Sequence, residues 1–207
     1  INPFNKKEIA KISQGTVADI KKSVEAARSG LEKWQSISSF QRSKYLYAIA
    51  RYIQKESRTI SVLESMENGK SIRESRDIDI PLAARHFYYH AGWAQLLDEE
   101  FQGYSAVGVC GQIIPWNFPI LMLAWKVAPA IAAGNSVILK PAEQTSLTAL
   151  YFAEICKRIK LPDGVVNVVT GDGITGSHLV TQKDISKVPY SGSRDVGKEM
   201  MTSLAGS

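Results

Sequence analysis

Apolar residues return every three or four positions at Val17, Ile20, Val24, Ala27 and Leu31, and Thr16 followed by Asp19 gives a capping-box-like start, so the spacing predicts a helix over about 16–32. A second helix, opened by Ser38 or Ser39, carries Tyr45, Leu46, Ile49, Tyr52 and Ile53. A third runs through Ile60, Leu63 and Met66 to a stop at Asn68-Gly69, and a fourth occupies about 71–98. From Tyr104 the pattern changes. Short β-rich runs at 106–110, 112–114, 136–139, 165–169 and 186–190 alternate with helical segments at about 119–133, 146–160 and 174–182, and a further helix opens after 193. This alternation predicts an α/β fold: a Rossmann-like parallel sheet with helices on both faces, joined by right-handed crossovers and preceded by an amino-terminal helical segment. The division falls between residues 1–103 and 104–207, and a ligand is expected at the carboxyl ends of the strands.

Composition changes this picture little. A chain of 207 residues, 44% apolar and 22% charged, can bury a sizeable core. Its net charge of +5 raises nucleic acid as a partner, but residues 1–60 hold 12 Lys/Arg against 5 Asp/Glu, and the excess sits on amphipathic helical sequence. No aromatics are interleaved for base stacking, so no nucleic-acid partner is expected. The apolar stretch from Ala106 to Leu139 is broken by Pro115, Asn117, Pro119, Lys126 and Pro129, which excludes a membrane span. Cys110 and Cys156 each lie in an apolar segment, as structural thiols of a reducing, cytoplasmic compartment would. Neither has ligand spacing to the other or to His86, His90 or His178, so no metal site is expected. A start at Ile1 rather than Met reads as a fragment or a processed chain.

Candidate chemistry gathers where strands give way to helices. Asn117 lies in a proline-fixed turn after an apolar strand, where it can cap the next helix or present an N–H to an oxyanion. Lys126, in an apolar helix, can snorkel to the surface or point into a site. Lys140 and Glu143 follow an apolar strand, before a helix that Thr145 or Ser146 can cap, and could hold sugar hydroxyls or form a surface ion pair. Gly171-Asp172-Gly173-Ile174-Thr175-Gly176 matches the G-x-G-x-x-G spacing, but no acidic residue ends a strand about 20 residues on. Ser191-Gly192-Ser193 opens the last helix, either as a phosphate-receiving turn or as a simple cap.

The ordered segments GVCGQIIPWNFP, AWKVAPAIAAGNSVILKPAEQTSLTAL, LPDGVVNVVTGDG and YSGSRDVGKEM resemble the aldehyde dehydrogenase superfamily, and HFYYHAGWAQL at 86–96 is similar to its family sixteen. The resemblance implies an incomplete aldehyde dehydrogenase fold: a truncated cofactor-binding domain without its catalytic domain. It implies that Asn117 stabilises an oxyanion and Lys126 supports the site. Ile114, Pro115 and Trp116 would line the cofactor cleft, and Lys140 and Glu143 would hold the adenosine ribose. Gly173 would lie beside the adenosine portion, Gly176 would take the next small-residue position, and Gly192 and Ser193 would receive the pyrophosphate of NAD or NADP. The reaction implied is attack of a cysteine thiolate on an aldehyde, hydride transfer to NAD(P)+ and hydrolysis of the resulting thioester by a glutamate-activated water. That cysteine and glutamate lie further along the family's chain than Ser207, so these residues are expected to be inactive alone. Two departures stand out. Only Ala94–Ala106 fills a gap where relatives carry an oligomerisation hairpin, which leaves a homo-oligomer open and the usual dimer in doubt, and the usual FTGS reads Tyr190-Ser191-Gly192-Ser193. The alternative readings are a non-catalytic module of this family, for nucleotide binding or protein interaction, and a conventional Rossmann dehydrogenase built on GDGITG.

Overall fold

The computed structural model describes residues 1–205. At its centre is a parallel sheet of β1 (Val109–Ile113), β2 (Ser136–Lys140) and β3 (Val166–Val168), in that spatial order, with Val109 opposite Ser136 and Val137 opposite Val166. The two short strands expected at 106–110 and 112–114 are one strand. No turn divides them; Gly111 lies inside the strand, where an added Cβ would stand 3.1 Å from Ile185 and 3.3 Å from Leu179, so its lack of a side chain lets the flanking layer close on the sheet. The strand expected at 186–190 is reduced to two parallel bridges on the free edge of β1, Cys110 with Lys187 and Ile113 with Tyr190. Pro189 has no N–H to offer between them, so the ladder breaks there.

Helices cover both faces. On one side lie α1 (Val17–Gln35) and α8 (Gly173–Val180), whose Ile20, Val24, Ala27 and Leu179 pack with Val109, Ile138 and Val169. Thr16 and Asp19 form the capping box of α1 as its sequence predicts. Helix α1 approaches the loop before β3 so closely that a Cβ on Gly30 would stand 2.2 Å from Gly164. The amino-terminal segment is thus part of the sheet's own cover. On the other side α2 (Ser39–Lys55), α5 (Ile80–Glu100), α6 (Pro119–Ala132) and α7 (Leu147–Arg158) build the larger core with Val137 and Leu139. Trp34 of α1 donates its indole N–H to Ile131 O at 2.8 Å, and Asn135 accepts Gly108 N–H while donating to Ala130 O.

The helix expected over 71–98 is interrupted. After α3 (Ser57–Asn68) and the left-handed Gly69, a short α4 (Ile72–Glu74) runs through one π-helical stretch, Ser75–Asp79, into α5. That stretch buries Asp79. Helix α3 also turns differently from its apolar pattern: Ile60, Ser61, Glu64 and Glu67 face inward, while Met66 stands 38% exposed. The last helix is α9 (Arg194–Leu204). No described helix is long and apolar enough to cross a membrane.

Candidate functional site

A cleft of about 510 Å³ opens where β1 and β2 end, between α8 and α9. Strand β1 contributes Ile114, Pro115 and Trp116 as it leaves the sheet, and β2 contributes Lys140 and, one turn on, Glu143. Gly173 and Gly176 face it from α8, and Gly192 and Ser193 from the turn before α9. The nine positions that the resemblance assigns to a cofactor therefore share one cavity.

Lys140 is the dominant charge in it. Its residue is 4% exposed, and its ammonium has Glu143 at 3.9 Å as its ion-pair partner. Burial pushes its pKa below the ordinary lysine value, with Glu143 and Asp172 pulling the other way. Such a cation, nearly withdrawn from water and only loosely paired, favours a ligand that brings negative charge or hydroxyl acceptors.

The two helix starts at the cleft differ. In α8 the Asp172 carboxylate accepts Ile174 N–H at 2.9 Å and Thr175 N–H at 3.3 Å, and Gln14 donates to it at 2.8 Å. The N–H groups that a G-x-G-x-x-G turn would offer a phosphate are already taken, by a group of the ligand's own sign. The acidic residue inside the motif closes it. Helix α9 is capped by the neutral Ser193 hydroxyl, which accepts Val196 N–H at 3.3 Å. Tyr190 donates its hydroxyl to Ser193 O, and a Cβ on Gly192 would stand 2.2 Å from that hydroxyl oxygen, so any larger side chain there must push the ring aside.

Asn117 and Lys126 stand outside the cavity lining. Asn117 is exposed in the turn next to Trp116, and it does not cap α6, whose cap position is Phe118 with no side-chain bond. Lys126 does not reach for solvent; its ammonium donates to Ser191 Oγ at 2.6 Å, at the edge of the same cleft, and burial lowers its pKa. The caps proposed for α7 are likewise replaced. Neither Thr145 nor Ser146 accepts its N–H groups; the Glu67 carboxylate, from α3, accepts Leu147 N–H at 2.7 Å and Thr148 N–H at 3.1 Å.

The sequence model of the aldehyde dehydrogenase family matches residues 1–207. The chain belongs to the aldehyde dehydrogenase family. It is 40% identical to the mitochondrial aldehyde dehydrogenase family 2 member B4 of Arabidopsis thaliana, over 100% of this chain and 41% of that protein. It is 38% identical to retinaldehyde dehydrogenase 3 of Rattus norvegicus, over 95% of this chain and 41% of that one. The NAD+ complex of an aldehyde dehydrogenase from Bacillus cereus superposes with a TM-score of 0.95 at 36% identity, over 99% of this chain and 44% of that chain. The chain thus spans less than half the length of each of these relatives.

Sequence reasoning missed one group of residues in the chain. Glu64 and Asp79 are buried and the Lys70 side chain is nearly so, with Lys70 Nζ at 2.5 Å from Asp79 Oδ2 and 3.6 Å from Glu64 Oε1. Glu64 Oε2 accepts Ile120 N–H in the first turn of α6, and Lys70 Nζ lies 4.1 Å from the Phe118 ring centroid. A usable signal was present, since Glu64 and Glu67 follow Ile60 at i+4 and i+7 on one helix face. Two acids in an inward stripe mark carboxylates recruited to close other helices.

Proposed function

We propose that this chain forms the cofactor-binding part of an oxidoreductase that oxidises an aldehyde to a carboxylic acid with NAD(P)+. The observation that carries this reading is the convergence of a buried, loosely paired Lys140 and the neutral Ser193 cap of α9 on one cleft at the carboxyl edge of a parallel sheet. The residues fit a dinucleotide. Lys140 and Glu143 would take the adenosine ribose, Gly173 and Gly176 give an unobstructed wall beside it, and Gly192 with Ser193 would receive the pyrophosphate. Ile114, Pro115 and Trp116 form the opposite wall. When bound, the nicotinamide accepts hydride.

The chain's own residues bind and orient. Asn117 would offer its amide N–H to the oxygen on which negative charge develops, and Lys126, holding Ser191, would fix the turn that leads to the pyrophosphate. Neither cysteine suits attack on an aldehyde: both are buried, and burial raises both thiols above the ordinary range, furthest for Cys156. These 207 residues by themselves are therefore expected to bind cofactor without turning over aldehyde. Unpaired thiols suit a reducing compartment such as the cytoplasm.

Calorimetric titration with NAD+ and NADP+ tests the reading. Saturable binding that weakens by about tenfold in Lys140→Met is expected, from loss of a charged hydrogen-bonding partner. Absence of binding to either nucleotide, or binding indifferent to Lys140, would defeat the cofactor assignment, and aldehyde-dependent NADH formation by this chain would defeat the prediction of inactivity.

A further inference from the structure

The turn between β1 and α6 has to hold two things at once: Trp116 on the wall of the cleft and Asn117 beside it. Its own backbone gives it little support. Phe118, at the cap position of α6, offers no side-chain acceptor, and Pro119 contributes no N–H. What holds the turn comes from 48 and more residues earlier in the chain. Asn68, the last residue of α3, donates its side-chain N–H to Trp116 O at 2.6 Å and lies 3.5 Å from Asn117 O. Gly69, at φ 88°, ends α3 in the left-handed region directly after it, so the helix stops where this amide meets the turn. Beneath them Lys70 faces the Phe118 ring, and Glu64 receives the Ile120 N–H at 3.4 Å.

The cluster itself is internally consistent with a fixed arrangement. Glu64 Oε1 and Asp79 Oδ1 are both buried and lack hydrogen-bond donors. Burial, and the Asp79 carboxyl beside it, push the Glu64 carboxyl up to about 8, so Glu64 keeps its proton while Lys70 pairs with Asp79. The π-helical stretch is what turns Asp79 inward to complete it.

We infer that Asn68, together with the Lys70, Asp79 and Glu64 cluster below it, is a positioning device that sets where Trp116 and Asn117 stand against the cofactor cleft. This inference deepens the proposed function and rests on it for its consequence, but the positioning itself is a property of the free chain. Asn68 touches no reacting group; it acts through two backbone carbonyls of the turn.

Labelling the chain with 5-fluorotryptophan makes the device visible by fluorine NMR, because its four tryptophans report from different places and Trp116→Phe assigns the one that matters. Asn68→Asp keeps the side chain's shape and removes the donor; Asn68→Ala removes the side chain and retains a strong helix former. Both are expected to shift or broaden the Trp116 resonance while the resonance of Trp34, fully buried in the main core, stays where it is. Both are also expected to weaken NAD+ binding by about fivefold, the size of one lost hydrogen bond. An unchanged Trp116 resonance in either folded variant overturns the inference. So does a shift shared equally with Trp34, or loss of folding in both variants, since each would make Asn68 an ordinary structural residue. The fluorine measurement needs no nucleotide. If the unsubstituted chain binds neither NAD+ nor NADP+, the cofactor reading falls while the positioning test keeps its answer.

Discussion

Four helices begin near the carboxyl edge of the sheet, and they are closed in two different ways. Helices α6, α7 and α8 start against acidic side chains: Glu64 from α3, Glu67 from α3, and Asp172 from the turn itself. Helix α9 starts on a neutral hydroxyl, and Asp195 in its first turn makes no hydrogen bond to its backbone among the described residues. A helix start carries partial positive charge and free N–H groups, so the start whose N–H groups are not bonded by an acid is the one open to an anionic ligand. Glycine spacing points to α8; charge points to α9. Where the two disagree, the capping acid decides, because it both occupies the donors and repels a phosphate.

The largest effect expected from this contrast concerns α6. Burial first, and Asp79 second, push the Glu64 carboxyl from 4.5 to about 8, against the pull of Lys70. The folded chain therefore holds a proton that the unfolded chain releases, so the contribution is complete below about pH 4.5 and is lost as pH rises through about 8. Urea unfolding is expected to show stability falling over this window by something on the order of 5 kcal/mol, with the fall largely abolished in Glu64→Gln. Level or rising stability in the unsubstituted chain would mean that Glu64 closes α6 as a carboxylate, like Glu67 at α7. The next effect concerns α9. In Gly192→Val the new side chain must displace the Tyr190 ring, and with it the bond to Ser193 O. NAD+ affinity is then expected to drop by about tenfold, as a loss of one well-placed contact. Unaltered binding would remove α9 from the site.

Much of this could be read along the chain because local rules and tertiary demand agreed. The capping box at Thr16, the apolar runs of β2 and β3 and the left-handed Gly69 each express a purely local preference, and each appears where its pattern places it. The cleft was legible for a different reason: strand ends and helix starts fix its position once the alternation is known. What could not be read depended on partners far apart in sequence. Nothing near Leu147 announces that its N–H is met by Glu67, 80 residues earlier. Leu63 and Met66 suggested an inward face for α3 that the acids take instead, since buried helix starts elsewhere outbid an apolar stripe. The irregular edge at 186–190 reflects one missing N–H at Pro189, and the interrupted helix before α5 reflects the need to turn Asp79 toward Lys70.

The smallest effect tests the contrast most directly. Asn caps a helix about as well as Asp, so Asp172→Asn should leave α8 closed by the same acceptor and the melting temperature essentially unchanged. What it removes is one negative charge between Gly171 and Gly173, beside the cleft and near enough to Lys140 to act on its charge. If α8 serves only as a wall and the anionic part of the ligand sits at α9, removing that charge relieves a repulsion. NAD+ affinity should then rise by about twofold, more in dilute buffer than at 0.5 M salt, where the Debye length is only about 4–5 Å. A fall in affinity would reverse the comparison: it would mean that the Asp172 carboxylate accepts hydroxyls of the nucleotide, and that the acid closing α8 is a ligand-binding group whose cap is broken when the ligand arrives.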